Sequence, residues 1–498
     1  MTRGKMWCAR FTPAGLLLLC ATAPDGAKAA SEAVCGPVDR PETGLQGQVP
    51  ASERQPPDGF QGFWCGVRKV GQTTIFDRGG TSPYGTTALW DHCAYSSTRS
   101  PQDETVQTTG VAVIDVADPT QPQVVQILRT PGFLQAYAGL RARSGILIGA
   151  YQNQTAVDVY DVSGDCLHPR YLATFDTPSG NHDANLTNDG KTFYSIPNPG
   201  GPGVDIDPNR VDMQVFDLST PDQPTLIMTW NRRQLPADVY PRTIPTTAFH
   251  DVSSNFDGTR IYMALYGAGS CANGLLILDS SDIAFGRPNP QLRYVHFLSW
   301  CDEHNRYWPG TTASAHATQY VIHQNGKPYV VTTDEGPALG GGMGICTQRT
   351  YTRLIDISDE TNPRTVATWN PEVNNFETFD DTGHLVATCK TGAADNLPYM
   401  PHYLGFDDRA HMRLVFIASY HSGVRILDYA DPENPKEIAY YNAPRHPVLT
   451  AVRENDRSPP PPQYDPVRCQ IYTGWRDNGL VILELTNPAY NPCLSENR

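Results

Sequence analysis

The 498-residue sequence predicts an all-β fold, a seven-bladed β-propeller of four-stranded antiparallel blades. Three observations predict it. A phrase made of an apolar run, a closing acid and then, in most copies, a Pro-containing turn recurs seven times, with the acids at 115, 161, 217, 279, 356, 428 and 484 and gaps of 46, 56, 62, 77, 72 and 56 residues. Self-similarity at such spacing marks a repeat architecture. Upstream of the core lies a second pair of apolar runs around a turn, as in 182–195 and 250–265. The 43 prolines and 42 glycines are interleaved with apolar strands throughout, the pattern of many tight turns rather than of disorder.

Each element of the unit has a physical reason. Runs such as Val111–Ile114 and Val424–Leu427 read as buried strands. Asp115 or Asp428 ends the strand because a carboxylate accepts backbone N–H groups of the following turn. The prolines of 118–122 and 431–435 preset φ and cannot donate to a ladder. The next run, such as Gln123–Leu128, returns as an edge strand. Asp-Gly at 189–190 and 257–258 is a hairpin signal, so each unit has four antiparallel strands, one blade, and seven units fall within the usual range of propellers. The runs Val111–Asp115, Arg353–Asp356 and Val424–Asp428, with the turns that follow, resemble LVIVD-repeat proteins over roughly residues 80–490. The resemblance implies a secreted or surface-located propeller and carries no common chemistry.

Residues 1–29 read as a secretory signal. Arg3, Lys5 and Arg10 precede the short apolar run 15–23, and Ala27-Lys28-Ala29 is a small-x-small cleavage site. The run is well below the roughly 20 residues of a spanning helix, and no other stretch is long enough to be transmembrane. Residues 30–58 are polar and Pro-rich and are expected to form an N-terminal tail; 59–498 form the propeller, with Phe63–Val70 expected to complete the last blade. A secreted or periplasmic location follows. Ten cysteines remain after the signal, an even number that reads as disulfides in an exported chain, with the pairing left open. No Cys-x-x-Cys is present, which argues against a thiolate zinc or redox motif. Loss of four basic residues and one acid with the signal takes the formal charge from −14 to −17, which disfavours nucleic acid as a partner.

Histidine placement carries the chemical signal. His182, His250, His316 and His402 each precede the first strand of four consecutive units, and the offset to the turn glycine is identical from 182 to 190 and from 250 to 258. First strands line the channel of a propeller, so four imidazoles are expected to converge on its axis. Imidazole suits Fe, Cu and Zn. Such a set is similar in layout to the iron site of carotenoid cleavage oxygenases, although no other sequence mark of that family is present. Repeats also descend from one another, so an equivalent histidine equally reads as inherited packing. His421, Asp334-Glu335, 267–274 and 475–479 fall in equivalent loops expected on the ligand face. Insertions at 197–210, 231–245, 302–312, 335–350 and 370–399 are long enough to form a lid. His92 and His446 fall outside the pattern. Gly-x-Ser-x-Gly, phosphate-loop and His-Glu-x-x-His motifs are missing.

Two function classes stay open. One is an exported propeller that binds a small molecule, glycan or protein partner on its loop-rich face; the repeats alone account for most of the sequence, which favours this reading. The other is an exported metal-dependent enzyme of oxidase or oxygenase type, with His182, His250, His316 and His402 holding Fe, Cu or Zn.

Overall fold

The computed structural model describes residues 33–55, 57–74, 86–97, 109–197, 210–243, 246–267, 272–301, 314–335, 350–374, 399–447, 455–458, 460–487 and 490–493. Two N-terminal strands come first, β1 (Phe63–Cys65) and β2 (Val67–Thr73). Blade 1 is β3 (Thr87–Trp90), β4 (Cys93–Ser97), β5 (Val111–Asp115) and β6 (Gln123–Leu128). Blade 2 is β7 (Arg141–Arg143), β8 (Ile146–Ala150), β9 (Ala156–Asp161) and β10 (Arg170–Asp176). Blade 3 is β11 (Asp183–Leu186), β12 (Thr192–Ile196), β13 (Met213–Asp217) and β14 (Thr225–Trp230). Blade 4 is β15 (Thr246–Ser254), β16 (Arg260–Gly267), β17 (Gly274–Asp279) and β18 (Arg293–Ser299). Blade 5 is β19 (Ser314–Ile322), β20 (Pro328–Glu335), β21 (Thr352–Asp356) and β22 (Arg364–Trp369). Blade 6 contains β23 (Leu404–Phe406), β24 (Leu414–Ala418), β25 (Val424–Asp428) and β26 (Lys436–Asn442). Blade 7 contains β27 (Gln463–Asp465), β28 (Gln470–Trp475) and β29 (Gly479–Leu485). All seven acid-ended runs are third strands, so the seven-bladed expectation holds.

The third-strand acids do what their position requires. Asp115, Asp161, Asp217, Asp279, Asp356 and Asp428 each accept the amide N–H two residues on, at 2.7–2.9 Å. Glu484, one methylene longer, instead pairs with Arg68. In every blade the pairing of third and fourth strands slips by one residue, at Val125, Leu172, Ile227, Val295, Val366, Ile438 and Val70. One bulge in the same place of each blade adds local twist at the rim. Seven buried apolar clusters fill the seams between neighbouring blades, one per seam.

Ring closure differs from the expectation of a single strand over Phe63–Val70. Gly66, at φ +65°, breaks it, and a Cβ there would lie 2.8 Å from the Ile438 carbonyl oxygen. β2 completes blade 7 against β29, whereas β1 adds a fifth strand to blade 6 against β26. The described part of the tail is docked. Cys35 is bonded to Cys65, Glu42 pairs with Arg425, and Val49 is fully buried. Cys93–Cys166 and Cys469–Cys493 are also bonded, and Cys301 is in a disulfide. Among the described residues no helix is long and apolar enough to cross a membrane.

Of the expected lid insertions, 231–243 packs down instead. Asn231 caps a short turn by accepting the Arg233 amide, and Leu235 and Val239 join the core with Trp230. Most of the other four insertions lies outside the described residues.

Candidate metal centre

His182 and His402 stand just before the innermost strands β11 and β23, their amides donating to the Ile196 and Ala418 carbonyls at 2.7 Å. His250 and His316 lie inside β15 and β19, at irregularities. Pairing jumps from Phe249↔Leu265 to Val252↔Met263, and from Ala315↔Asp334 to Ala317↔Thr333, so His250 and His316 sit on bulged backbone. A bulge re-aims a side chain that strict alternation would place elsewhere. All four rings meet at the axis. Centroids are 4.5 Å apart for His182–His250, 3.9 Å for His250–His316 and 4.1 Å for His316–His402. The Nε2 atoms of His182 and His250 are 2.9 Å apart.

His316 has the most constrained protonation. Its Nδ1 is 3.1 Å from the His402 carbonyl oxygen. A carbonyl only accepts, so the proton sits on Nδ1. Burial, reinforced by the neighbouring imidazoles, holds the His250 and His316 pKa well below the ordinary value, and both rings are neutral. His316 Nε2 therefore carries a bare lone pair. It faces Glu335 Oε2 at 3.5 Å, and His402 Nε2 is 3.7 Å from Glu335 Oε1.

Glu335 is the last residue of β20. Alternation sends Asp334 to the other face, where it accepts Trp300 Nε1 at 2.9 Å and Arg353 Nη2 at 2.7 Å, with the guanidinium stacked over the Trp300 ring. That anchor leaves Glu335 directed at the axis. Tyr420 donates its hydroxyl to Glu335 Oε1 at 2.5 Å; burial first, then the Glu335 charge, holds its pKa well above the ordinary value, so it remains a donor. Tyr420 has φ +40°, an outlying conformation for a bulky residue and of the kind found at functional sites.

The donor set fits a first-row transition metal. Two acceptor atoms 3.5 Å apart are too far to share a proton well, and that gap matches ligands on one ion with bonds of about 2.0–2.2 Å. The ligand atoms of His250, His316 and Glu335 all lie within 4.8 Å of one another. The His402 carbonyl holds the other nitrogen of His316, the usual support of a ligating histidine. Gln152 lies 3.4 Å from His182 Nδ1 while its Oε1 is buried without a partner; turning the amide end for end gives that oxygen the Nδ1–H and frees His182 Nε2 as a lone pair. His250 Nδ1 makes no hydrogen bond among the described residues.

The geometry differs from the expected cage of four nitrogens within roughly 3–4 Å of each other. Four consecutive blades span only part of a seven-blade ring, and the Glu335 carboxylate stands beside His316 and His402, at 3.5 and 3.7 Å. Asp183 and Asp251 turn away from the rings, as alternation requires. Asp183 accepts Arg141 at 2.9 Å and the Tyr403 hydroxyl at 2.7 Å, and Asp251 accepts the Thr318 amide at 2.8 Å.

His421 does not join the centre. It is buried against Asn455 Oδ1 at 3.1 Å, in a network with Asn442. His92 lies beside Cys93 and Cys166, whose sulfurs are bonded to each other and offer no thiolate. Tyr420 was not singled out in the sequence, and Glu335 only as part of a loop.

No family model matches the chain, and no curated protein matches its sequence. Among solved structures it is similar to U3-55K, with a TM-score of 0.47 and 10% identity over 84% of this chain and 98% of that one. It is also similar to Sqt1 of Saccharomyces cerevisiae, with a TM-score of 0.48 and 9% identity over 84% and 86%. A third is the propeller domain of Myceliophteria thermophila Cps50, with a TM-score of 0.47 and 10% identity over 83% and 98%. The blade count rests on the strand topology itself.

Proposed function

We propose that this chain is an exported metalloenzyme of the oxidase or oxygenase class, with a transition-metal ion on the propeller axis. His250, His316 and Glu335 would hold the ion, with His182 and His402 completing the set from the flanking blades. The observation that carries this reading is the His316 lone pair, fixed inward by the His402 carbonyl and facing the Glu335 carboxylate at 3.5 Å in a buried site. Two histidines and one carboxylate form the donor set associated with non-haem iron oxygenases, which makes iron the first expectation, ahead of copper and zinc. When bound, such an ion supplies redox and oxygen chemistry. The chain's own residues orient the ligands, keep the rings neutral and, through Tyr420, hold Glu335 as an acceptor. The three disulfides with both partners among the described residues and the leader-like composition of residues 1–29 support export.

Elemental analysis of the purified mature protein tests the proposal. About one equivalent of iron is expected, or uptake of Fe(II) after chelation. A protein that holds none, and takes up none of Fe(II), Cu(II) or Zn(II), would leave the ligand-binding reading of the propeller in its place.

A further inference from the structure

Beyond the histidines, along the C-terminal halves of the inner strands, the axis opens into a cavity of about 570 Å³. It is lined by residues that follow the histidines in sequence, such as Asn185, Asp251 and Gln319, and by none of the four histidines. Three arginines face it. Arg141 and Arg143 are two apart on β7 and so share a face; Arg409 reaches in from the turn after β23.

Their partners differ. Arg141 is bound to Asp183 at 2.9 Å. Arg143 has a single long contact, 3.5 Å to the Ala142 carbonyl oxygen. Arg409 donates to the Tyr320 and Ser254 carbonyl oxygens at 3.1 and 3.4 Å and stacks on Phe256. Among the described residues no carboxylate contacts Arg143 or Arg409. The nearby acids are engaged elsewhere. Asp407 accepts the Asp408, Arg413 and Leu414 amides, and Asp408 accepts the Ala410 amide. Burial pushes Asp407 up to about 6.

The cations also bear on one another. Burial and the Arg141 charge lower Arg143 to about 10; burial, then Arg143, lowers Arg409 to about 9. A chain of formal charge −14 thus turns two uncompensated guanidiniums into one internal space. Guanidinium is the side chain best suited to bidentate oxyanion recognition.

We infer that this axial cavity is an anion-binding site, in which Arg143 and Arg409 clasp the phosphate or carboxylate group of a small molecule. The site is separate from the metal centre and does not depend on it.

Titration calorimetry on the full mature protein in low-salt buffer tests this, with inorganic phosphate in one arm and succinate in the other. Saturable binding of one equivalent is expected in at least one arm, and the arm that binds tighter names the oxyanion. The Arg143→Gln, Arg409→Gln double variant should weaken it by roughly tenfold or more. Arg143→Lys should retain part of it, and Arg170→Gln at the rim should change nothing. The double variant should unfold at the same temperature as wild type or higher, because like charges are removed; merely structural arginines would lower it. Wild-type protein that binds neither probe, or a double variant within about twofold of wild type, overturns the inference.

Discussion

His316 and His323 belong to the same strand of blade 5, one inside its start and one just past its end. Each is 1% exposed, and they are wired in opposite ways. His323 donates Nε2–H to the Tyr429 carbonyl at 2.8 Å and accepts the Asn325 amide on Nδ1 at 3.1 Å. Both nitrogens are satisfied by backbone, and the ring pins blade 5 to blade 6. His316 has one nitrogen satisfied in the same manner, but its other faces a carboxylate across a gap too long for a good hydrogen bond. A buried histidine whose proton and lone pair are both matched is a structural part. One whose lone pair is turned toward another acceptor has no such match, and that difference is what the proposed metal site rests on.

Paired alanine substitutions break this comparison most directly. His316→Ala is expected to weaken metal binding by at least roughly 100-fold, since even supporting residues around a metal contribute about 10–100-fold. The blades should remain intact, because the His402 carbonyl that the ring holds also accepts the Thr333 hydroxyl. His323→Ala is expected to leave metal content near wild type and to destabilise the fold by about 2–4 kcal/mol, through a cavity and two orphaned backbone groups. Metal analysis and denaturant unfolding of the two variants read both effects. If His323→Ala loses the metal while His316→Ala keeps it, the assignment of roles is reversed.

The sequence distinguishes these settings only in part. The offset from His182 to Gly190 and from His250 to Gly258 marks a repeated position, and a position repeated across blades must recur at one radius of the ring. The rim was legible for the same reason: six aspartates make the same turn contact because each copy solves the same local problem. What was not legible depends on the three-dimensional meeting of unlike segments. Glu335 reads as a loop acid until Asp334, held by Arg353 and Trp300, shows which way the strand end faces. Tyr420 gives no signal, because its role rests on a left-handed φ and on a residue 85 positions away. The bulges at His250 and His316 break the period-2 rule from which side-chain direction is read. Arg409 and Arg143 meet only because blades 2 and 6 both line the axis.

His421 supplies a third buried histidine and a smaller, pH-dependent effect. Burial, with the Arg54 and Arg476 charges, lowers it to about 3, against the hydrogen bond that His421 Nδ1 donates to Asn455 Oδ1, which raises it. The unfolded chain binds a proton near pH 6.5 and the folded chain does not until about 3, so stability is lost as pH falls through that window. Relative to His421→Gln, metal-free wild type should lose up to about 1.4 kcal/mol per pH unit below 6.5. Chemical denaturation of both proteins from pH 7 to pH 4 measures the difference. A constant gap across that range would place the protonated ring in the folded state and contradict its burial.

The smallest effect is expected at the rim. Asp217 accepts one turn contact, the Ser219 amide at 2.7 Å, and Asp217→Ala should cost about 0.5–1.5 kcal/mol with metal content unchanged. Asp428 occupies the equivalent place but also receives both arms of Arg413, Nε and Nη2, at 2.9 Å, and that guanidinium lies 3.6 Å over the Tyr490 ring. Asp428→Ala should therefore cost more than Asp217→Ala, because it removes the turn acceptor and releases a partly buried arginine that ties the C-terminal segment to blade 6. Urea midpoints of the two variants decide it. Equal losses would mean that the turn contact alone sets the value of this acid, and that the Arg413 fork adds nothing to the blade it decorates.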